Sequence, residues 1–134
     1  MSNEEQIREK ALQFQLMQTN IEILQERENL LAQKLEELHR TKLAIEELEA
    51  TKKGDAYIPI GSGNFILGKI SDLDNILIGI GSGLAIKRNR KDAVGIVSDR
   101  MGDLEKELKD ISSHGQETLT KLMKLQKDIE KLQE

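Results

Sequence analysis

Few residues in this chain could do chemistry, and their spacing argues against a reaction. Gly79-Ile80-Gly81-Ser82-Gly83 has the glycine density of a loop that cradles phosphate. Such a loop needs a strand before it and a helix N-terminus after it, and a nucleotide site closes on Lys followed by Ser or Thr. Here a second apolar run, Leu84 to Ile86, follows instead, and Gly61-Ser62-Gly63 repeats the same turn. Both therefore read as hairpin turns. His39 and His114 are the only histidines, and neither has a companion at metal-ligand spacing. Ser62 and Ser82 have no base near them in sequence to activate a hydroxyl. The carboxylates are spread along polar helix faces in pairs such as Glu105/Lys109. There is no Cys, which excludes disulfides, thiolate chemistry and Cys-ligated metals. No enzymatic activity, metal or cofactor is expected.

The elements that hold these residues are unusual for 134 residues. Charged residues make up 33% of the chain, and the aromatics are only Phe14, Tyr57 and Phe65. A compact core leans on buried aromatics for apolar area, whereas richness in Glu, Lys, Leu and Ile belongs to long helices. The net charge of −4 has both signs interleaved, which argues against nucleic acid as a partner. The basic cluster Lys87, Arg88, Arg90 and Lys91 lacks aromatic neighbours and reads as a solvated turn. Ser2 to Lys10 is polar, so no secretory signal is visible. The longest mostly apolar run, Ile76 to Ile86, is far short of the roughly 20 residues that span a bilayer. No membrane association and a cytoplasmic location are expected.

From Asn3 to about Thr51 the chain has neither Pro nor Gly. Ser2 with Glu5 fits a capping box at the start, and Lys52-Lys53-Gly54 fits a stop at the end. One seam reads Ile7, Phe14, Ile21, Glu28, Leu35, Lys42, and its companion reads Met17, Leu24, Leu31, Leu38, Ile45. These are a and d positions of a heptad repeat. A second helix can start at Asn89, capped with Asp92 three residues on. Its seams are Val94, Met101, Leu108, Gly115, Leu122, Ile129 and Val97, Leu104, Ile111, Thr118, Leu125, Leu132. The arms, 3–52 and 90–133, match in length and should pair antiparallel within a single domain, 1–134. With residue 51 opposite about 92, Glu28 falls level with Gly115, near Thr118, and should loosen the packing there. Gly95 and Gly102 cost roughly 1 kcal/mol each relative to Ala, which close packing of the centre would explain.

Between the arms, in 56–88, the apolar period changes to two. Four strands are expected at about 57–60, 64–70, 76–80 and 84–88, broken at Gly61-Ser62-Gly63, Asp72-Leu73-Asp74-Asn75 and Gly81-Ser82-Gly83. Ile58-Pro59-Ile60-Gly61-Ser62-Gly63 and Ile78-Gly79-Ile80-Gly81-Ser82-Gly83 match at a 20-residue offset, as a duplicated hairpin would. The fold class is α+β: a long antiparallel two-helix coiled coil with two central β-hairpins.

Two isolated hairpins cannot bury their apolar faces, and their edges invite another chain. Ile58, Ile60, Phe65, Leu67, Ile76, Ile78, Ile80, Leu84 and Ile86 are therefore expected to build contacts between subunits. Leu12, Leu16, Ile23, Leu30, Leu119 and Met123 lie off the helical seams. Apolar surface that a seam cannot bury is usually a binding surface, and Met suits varied partners. The candidate client-binding set at the outer ends is Ile7, Leu12, Phe14, Leu16, Met17, Leu119, Leu122, Met123, Ile129 and Leu132.

Tyr57-Ile58-Pro59-Ile60-Gly61-Ser62-Gly63, then Phe65, Gly68-Lys69-Ile70, Ile80-Gly81-Ser82-Gly83 and Ala93, resemble the alpha-class subunits of prefoldin, most closely the archaeal form. The resemblance covers essentially the full length, and two hairpins rather than one distinguish the alpha class from the beta class. It implies a hexamer of two alpha-like and four beta-like subunits, with the hairpins assembled into an intersubunit β-barrel. It also implies an ATP-independent holdase that captures unfolded client proteins at coiled-coil tips and delivers them to a group II chaperonin. The competing reading of the same residues is a structural coiled-coil spacer or filament-forming subunit, which would not need exposed apolar tips.

Overall fold

The computed structural model describes residues 2–134. Two long helices, α1 (Asn3–Glu47) and α2 (Arg90–Gln133), flank four strands in the chain: β1 (Gly54–Gly61), β2 (Asn64–Ile70), β3 (Asn75–Gly81) and β4 (Leu84–Asn89). α1 starts where its capping box predicts, the Glu5 amide donating to Ser2 Oγ at 3.3 Å. Its end differs from the expected Lys52. The α-helix stops at Glu47, and Leu48–Ala50 tighten into one 3₁₀ turn. Thr51 explains the early stop. Its amide donates to Leu48 O at 3.1 Å and its hydroxyl to Glu47 O at 3.0 Å, so one residue satisfies two terminal carbonyls. Gly54, at φ +135°, opens β1 instead of closing the helix.

The basic cluster is not a turn. Lys87 and Arg88 lie on β4, and the chain passes directly from Asn89 into α2. Asn89 Oδ1 caps the helix by accepting from the Asp92 amide at 2.8 Å. Arg90 fastens this junction to the loop before β3: its amide donates to Asp74 O at 3.1 Å, and its guanidinium lies 3.7 Å from the Asp74 carboxylate.

β1 pairs antiparallel with β2, and β3 with β4, in two separate two-stranded sheets. The 20-residue repeat is a repeat of geometry. Each hairpin skips one residue before its turn, Ile60 in the first and Ile80 in the second. Each then turns on Ser-Gly with both φ angles positive: 51° and 78° at Ser62 and Gly63, 55° and 74° at Ser82 and Gly83. That is the primed two-residue turn whose twist matches the flanking strands. The loop between the hairpins is built on Asp72, whose carboxylate accepts from the Asp74 amide at 2.9 Å, the Asn75 amide at 3.2 Å and Asn75 Nδ2 at 3.1 Å. The Asn75 side chain, then the Asp74 amide, then the Asn75 amide and Lys87, hold the Asp72 carboxyl below its ordinary pKa, with desolvation opposing them. Leu73, in this polar loop, is buried.

The chain divides into two compact units, Met1–Leu35 with Asp103–Glu134, and Glu36–Gly102. In the second, Ile45, Ile78, Ala93 and Val97 form a buried cluster, with Leu38, Ile76, Ile86, Val94, Ile96 and Met101 packed on it. The β3–β4 sheet is thus docked on helix. In the first unit, Leu31, Ile111 and Leu125 are buried on the seam, as the heptads predict. Lys10 lies 3.7 Å from Asp128, and Arg27 donates to Glu107, which fixes the two helical segments as antiparallel.

Candidate interaction surfaces

The two hairpins share one sequence pattern but sit in different surroundings. Cross-strand pairing puts Ile78 opposite Ile86 and Ile76 opposite Arg88 on one face of the β3–β4 sheet. That face is the docked one. Ile76, Ile78 and Ile86 were expected to face other subunits; the structure packs them against Ile45, Ala93 and Val97 of their own chain. Ala93, completely buried, lets the sheet approach α2 closely, and Arg100 Nη2 donates to Gly79 O at 2.8 Å beside the bulge. Leu77, paired with Lys87 on the opposite face, is 72% exposed. Ile80 and Leu84 are exposed around the turn.

The β1–β2 hairpin has large apolar residues exposed on both faces. Tyr57 pairs with Leu67 and Pro59 with Phe65 on one side, and Ile58 pairs with Ile66 on the other. Tyr57, Ile58, Ile60, Phe65, Ile66 and Leu67 are all exposed. A Cβ on Gly68 would require only the exposed tip of the Ile58 side chain to shift. Four of the six exposed residues were expected from the alternation. Tyr57 and Ile66 were missed, as was Leu77 on the second hairpin, because only one face of each strand was counted as apolar.

In the unit formed by Met1–Leu35 and Asp103–Glu134, the residues expected to bind clients divide by burial. Ile7, Phe14, Met17, Leu122, Ile129 and Leu132 are half-buried along the seam, whereas Leu12, Leu16, Leu119 and Met123 are exposed. Ile23 and Leu30 are exposed as well. At 100° per residue, Leu12, Leu16, Ile23 and Leu30 fall within an arc of about 40°, and the seam residues of α1 centre about 130° further round. The exposed residues therefore make a stripe on α1 and a separate i,i+4 pair on α2.

The expected seam fault is present. Glu28 and Gly115 wall the same cavity of about 230 Å³, along with Ile21, Leu24, Ile111 and Leu119. Thr118 is buried nearby, with its hydroxyl donating to His114 O at 2.9 Å. A second opening, of about 490 Å³, has Phe14 and Ile129 in its walls with Gln15, Gln18, Gln126 and Gln133. In the Glu36–Gly102 unit, a third of about 540 Å³ is walled by Ile45, Val94, Glu46, Glu49, Asp74 and Arg90 among others. Gly95 and Gly102 do not serve close packing of the centre: a Cβ on either would meet nothing within 4 Å. His39 and His114 are exposed, and no group of three His, Cys, Asp or Glu able to hold a metal occurs among the described residues. No helix among them is long and apolar enough to cross a membrane.

Comparison with known proteins gives these surfaces a context. The family model described as "Prefoldin subunit" matches residues 17–134. The prefoldin subunit alpha of Thermococcus onnurineus is 31% identical over 99 residues, covering 72% of this chain and 67% of the relative. That of Pyrococcus horikoshii is 29% identical over 109 residues, covering 80% and 74%. Among solved structures, a filamentous PFD from Methanocaldococcus jannaschii superposes with a TM-score of 0.75 at 17% identity, over 84% of this chain and 93% of that one. With a family model spanning most of the chain, alpha-subunit relatives on either side of 30% identity and two hairpins between two long helices, this chain belongs to the prefoldin family of non-enzymatic chaperones, as an alpha-class subunit.

Proposed function

We propose that this chain works as the alpha-class subunit of a cytoplasmic, ATP-independent holdase. In this reading it assembles with beta-class subunits, two alpha with four beta, through the apolar hairpins. The complex captures unfolded proteins on exposed apolar side chains of the helices and passes them to a group II chaperonin. The observation that carries capture is the exposure of Leu12, Leu16, Leu119 and Met123 beside a seam that already buries Leu31, Ile111 and Leu125. Large aliphatic and thioether side chains left in water at helical spacing are poor for solubility, and useful where many apolar shapes must be held in turn.

The test uses the complex of this chain with a beta-class subunit and chemically denatured citrate synthase, without ATP. The wild-type complex should suppress aggregation. Leu12→Gln, Leu16→Gln, Leu119→Gln and Met123→Gln together should remove most of that suppression while native mass spectrometry shows unchanged stoichiometry. Suppression by the variant at the wild-type level would overturn the assignment of these residues. A spacer or filament subunit would give no suppression from either complex.

A further inference from the structure

We propose that the Ile58/Ile66 face of the β1–β2 hairpin docks into a groove between two helices of a neighbouring subunit that is not a second copy of this chain. The inference rests on the assembly reading above and specifies which face of the hairpin meets which kind of element. Its template lies inside the same molecule. The two hairpins share strand register, bulge and turn at an offset of 20 residues, so Ile58 and Ile66 stand where Ile78 and Ile86 stand in the second hairpin. Ile78 and Ile86 sit on Ile45 of α1 and on Ala93 and Val97 of α2, and Ile78 is 6% exposed. Ile58 and Ile66 have no such bed, and they are 45% and 51% exposed.

The two faces of the first hairpin are shaped for different occupants. Successive residues of a strand point to opposite faces, so Ala56, Ile58, Ile66 and Gly68 share one face, in the cross-strand pairs Ala56–Gly68 and Ile58–Ile66. Of these four, only the isoleucines project, as a ridge one side-chain pair long. A ridge of that form seats in the groove between two packed helices, as the matching pair does between α1 and α2. The opposite face carries two large pairs in a row, Tyr57–Leu67 and Pro59–Phe65. That face is broad, and it suits the flat face of another sheet.

A second copy of this chain has no vacant groove to offer, because its own β3–β4 hairpin covers Ile45, Ala93 and Val97. Nor would that bed fit if it were vacated. It is matched to Ile76, which also packs on the cluster. The counterpart of Ile76 is Ala56, paired with Gly68 where the second hairpin pairs Ile76 with Arg88. Ala56 and Gly68 thus leave a notch beside the ridge. A larger apolar side chain of the occupant must fill it, since a void in a packed contact costs stability. The occupant is therefore a helix pair of a different subunit, with a small residue under the ridge, as Ala93 is, and a bulky aliphatic one beside it. In the complex proposed above, that subunit is the beta-class one.

The experiment uses the assembled alpha–beta complex carrying Ile66→p-benzoylphenylalanine in one preparation and Leu67→p-benzoylphenylalanine in another, photolysed and mapped by mass spectrometry. Adducts from position 66 should fall on helical residues of the beta-class subunit, and adducts from position 67 on strand residues. Adducts from position 66 on strand residues or on another copy of this chain would overturn the proposal. So would an assembled complex that gives no adduct from position 66. If the position-66 variant does not assemble, the wild-type complex decides the same question by isoleucine δ1-methyl labelling. The Ile58 and Ile66 methyls should then show nuclear Overhauser contacts to helical methyls of the beta-class subunit, and contacts to strand residues alone, or no contacts between subunits, would overturn the proposal. Failure of the wild-type chains to form a complex refutes the assembly reading itself, whereas a complex with residue 66 against strands refutes only the helical groove.

Discussion

Ser62 and Ser82 hold φ angles of 51° and 55°, in the left-handed region where an L side chain is strained by about 1–2 kcal/mol. Each precedes a glycine in a primed turn, the position where Asn is best tolerated. Replacing Ser62 or Ser82 by Asn should therefore stabilise each hairpin by up to about 1 kcal/mol, seen as a higher melting temperature of the assembled complex. Unchanged or lower melting would show that the serines earn their place by contacts made on assembly. Asp72 gives a pH dependence. Its folded pKa lies below the ordinary carboxylate value, so its contribution is fully present above the unfolded pKa and is lost as pH falls through the folded one. Asp72→Ala should accordingly lower thermal stability at pH 7, with the gap to wild type closing below about pH 4. A gap that kept its full size as pH fell from 7 through the whole carboxylate range would mean that packing, not the carboxylate, sets the turn. The polar character of this loop was plain in the sequence. The burial of Leu73 within it was signalled only by one apolar residue among Asp and Asn.

For the helices, the sequence was nearly sufficient where one physical rule dominates. Heptads predicted the buried Leu31, Ile111 and Leu125, and the caps at Ser2 and Asn89 lie where their hydrogen bonds were expected. The end of α1 was illegible because Thr51 satisfies its terminal carbonyls through both backbone and side chain, an alternative to the Gly stop that composition suggested. Gly115 was recognisable as a weak point, and the structure gives it a cavity shared with Glu28. A Cβ there would meet nothing within 4 Å. Gly115→Ala should thus stabilise α2 by roughly 1 kcal/mol and slow amide exchange across residues 111–119. Exchange no slower than wild type would place the local weakness in Glu28 instead. Which face of each hairpin is covered could not be read, because both hairpins carry the same alternation. The difference comes from Ala93 and Val97, in the first turns of α2 just after β4, which accept Ile78 and leave the first hairpin without an equivalent bed.

For the molecule as a whole, the exposed β1–β2 hairpin is the feature most in need of a partner. Covering a large aliphatic or aromatic side chain is worth about 1.5–3 kcal/mol, and six such residues are exposed there. Leu67→Asp should abolish assembly and leave the helices folded, giving a smaller species in analytical ultracentrifugation with helical circular dichroism retained. Leu77→Asp, on the outer face of the docked hairpin, tests the second sheet separately. If both variants assembled normally, the hairpins would not be the joint. Ile78→Asp is a different perturbation, since it places an unpaired charge in the buried cluster and should unfold the Glu36–Gly102 unit.

A two-stranded ribbon with apolar residues on both faces is marginal in water by itself. Under the proposed assembly, the hairpin at Gly54–Ile70 would couple its own order to the presence of other subunits. A copy made in excess would carry this segment as the first point of proteolytic attack, while an assembled copy would hide it. Synthesis of partner subunits would then set how much of this chain survives, a form of stoichiometric control written into one unsheltered ribbon.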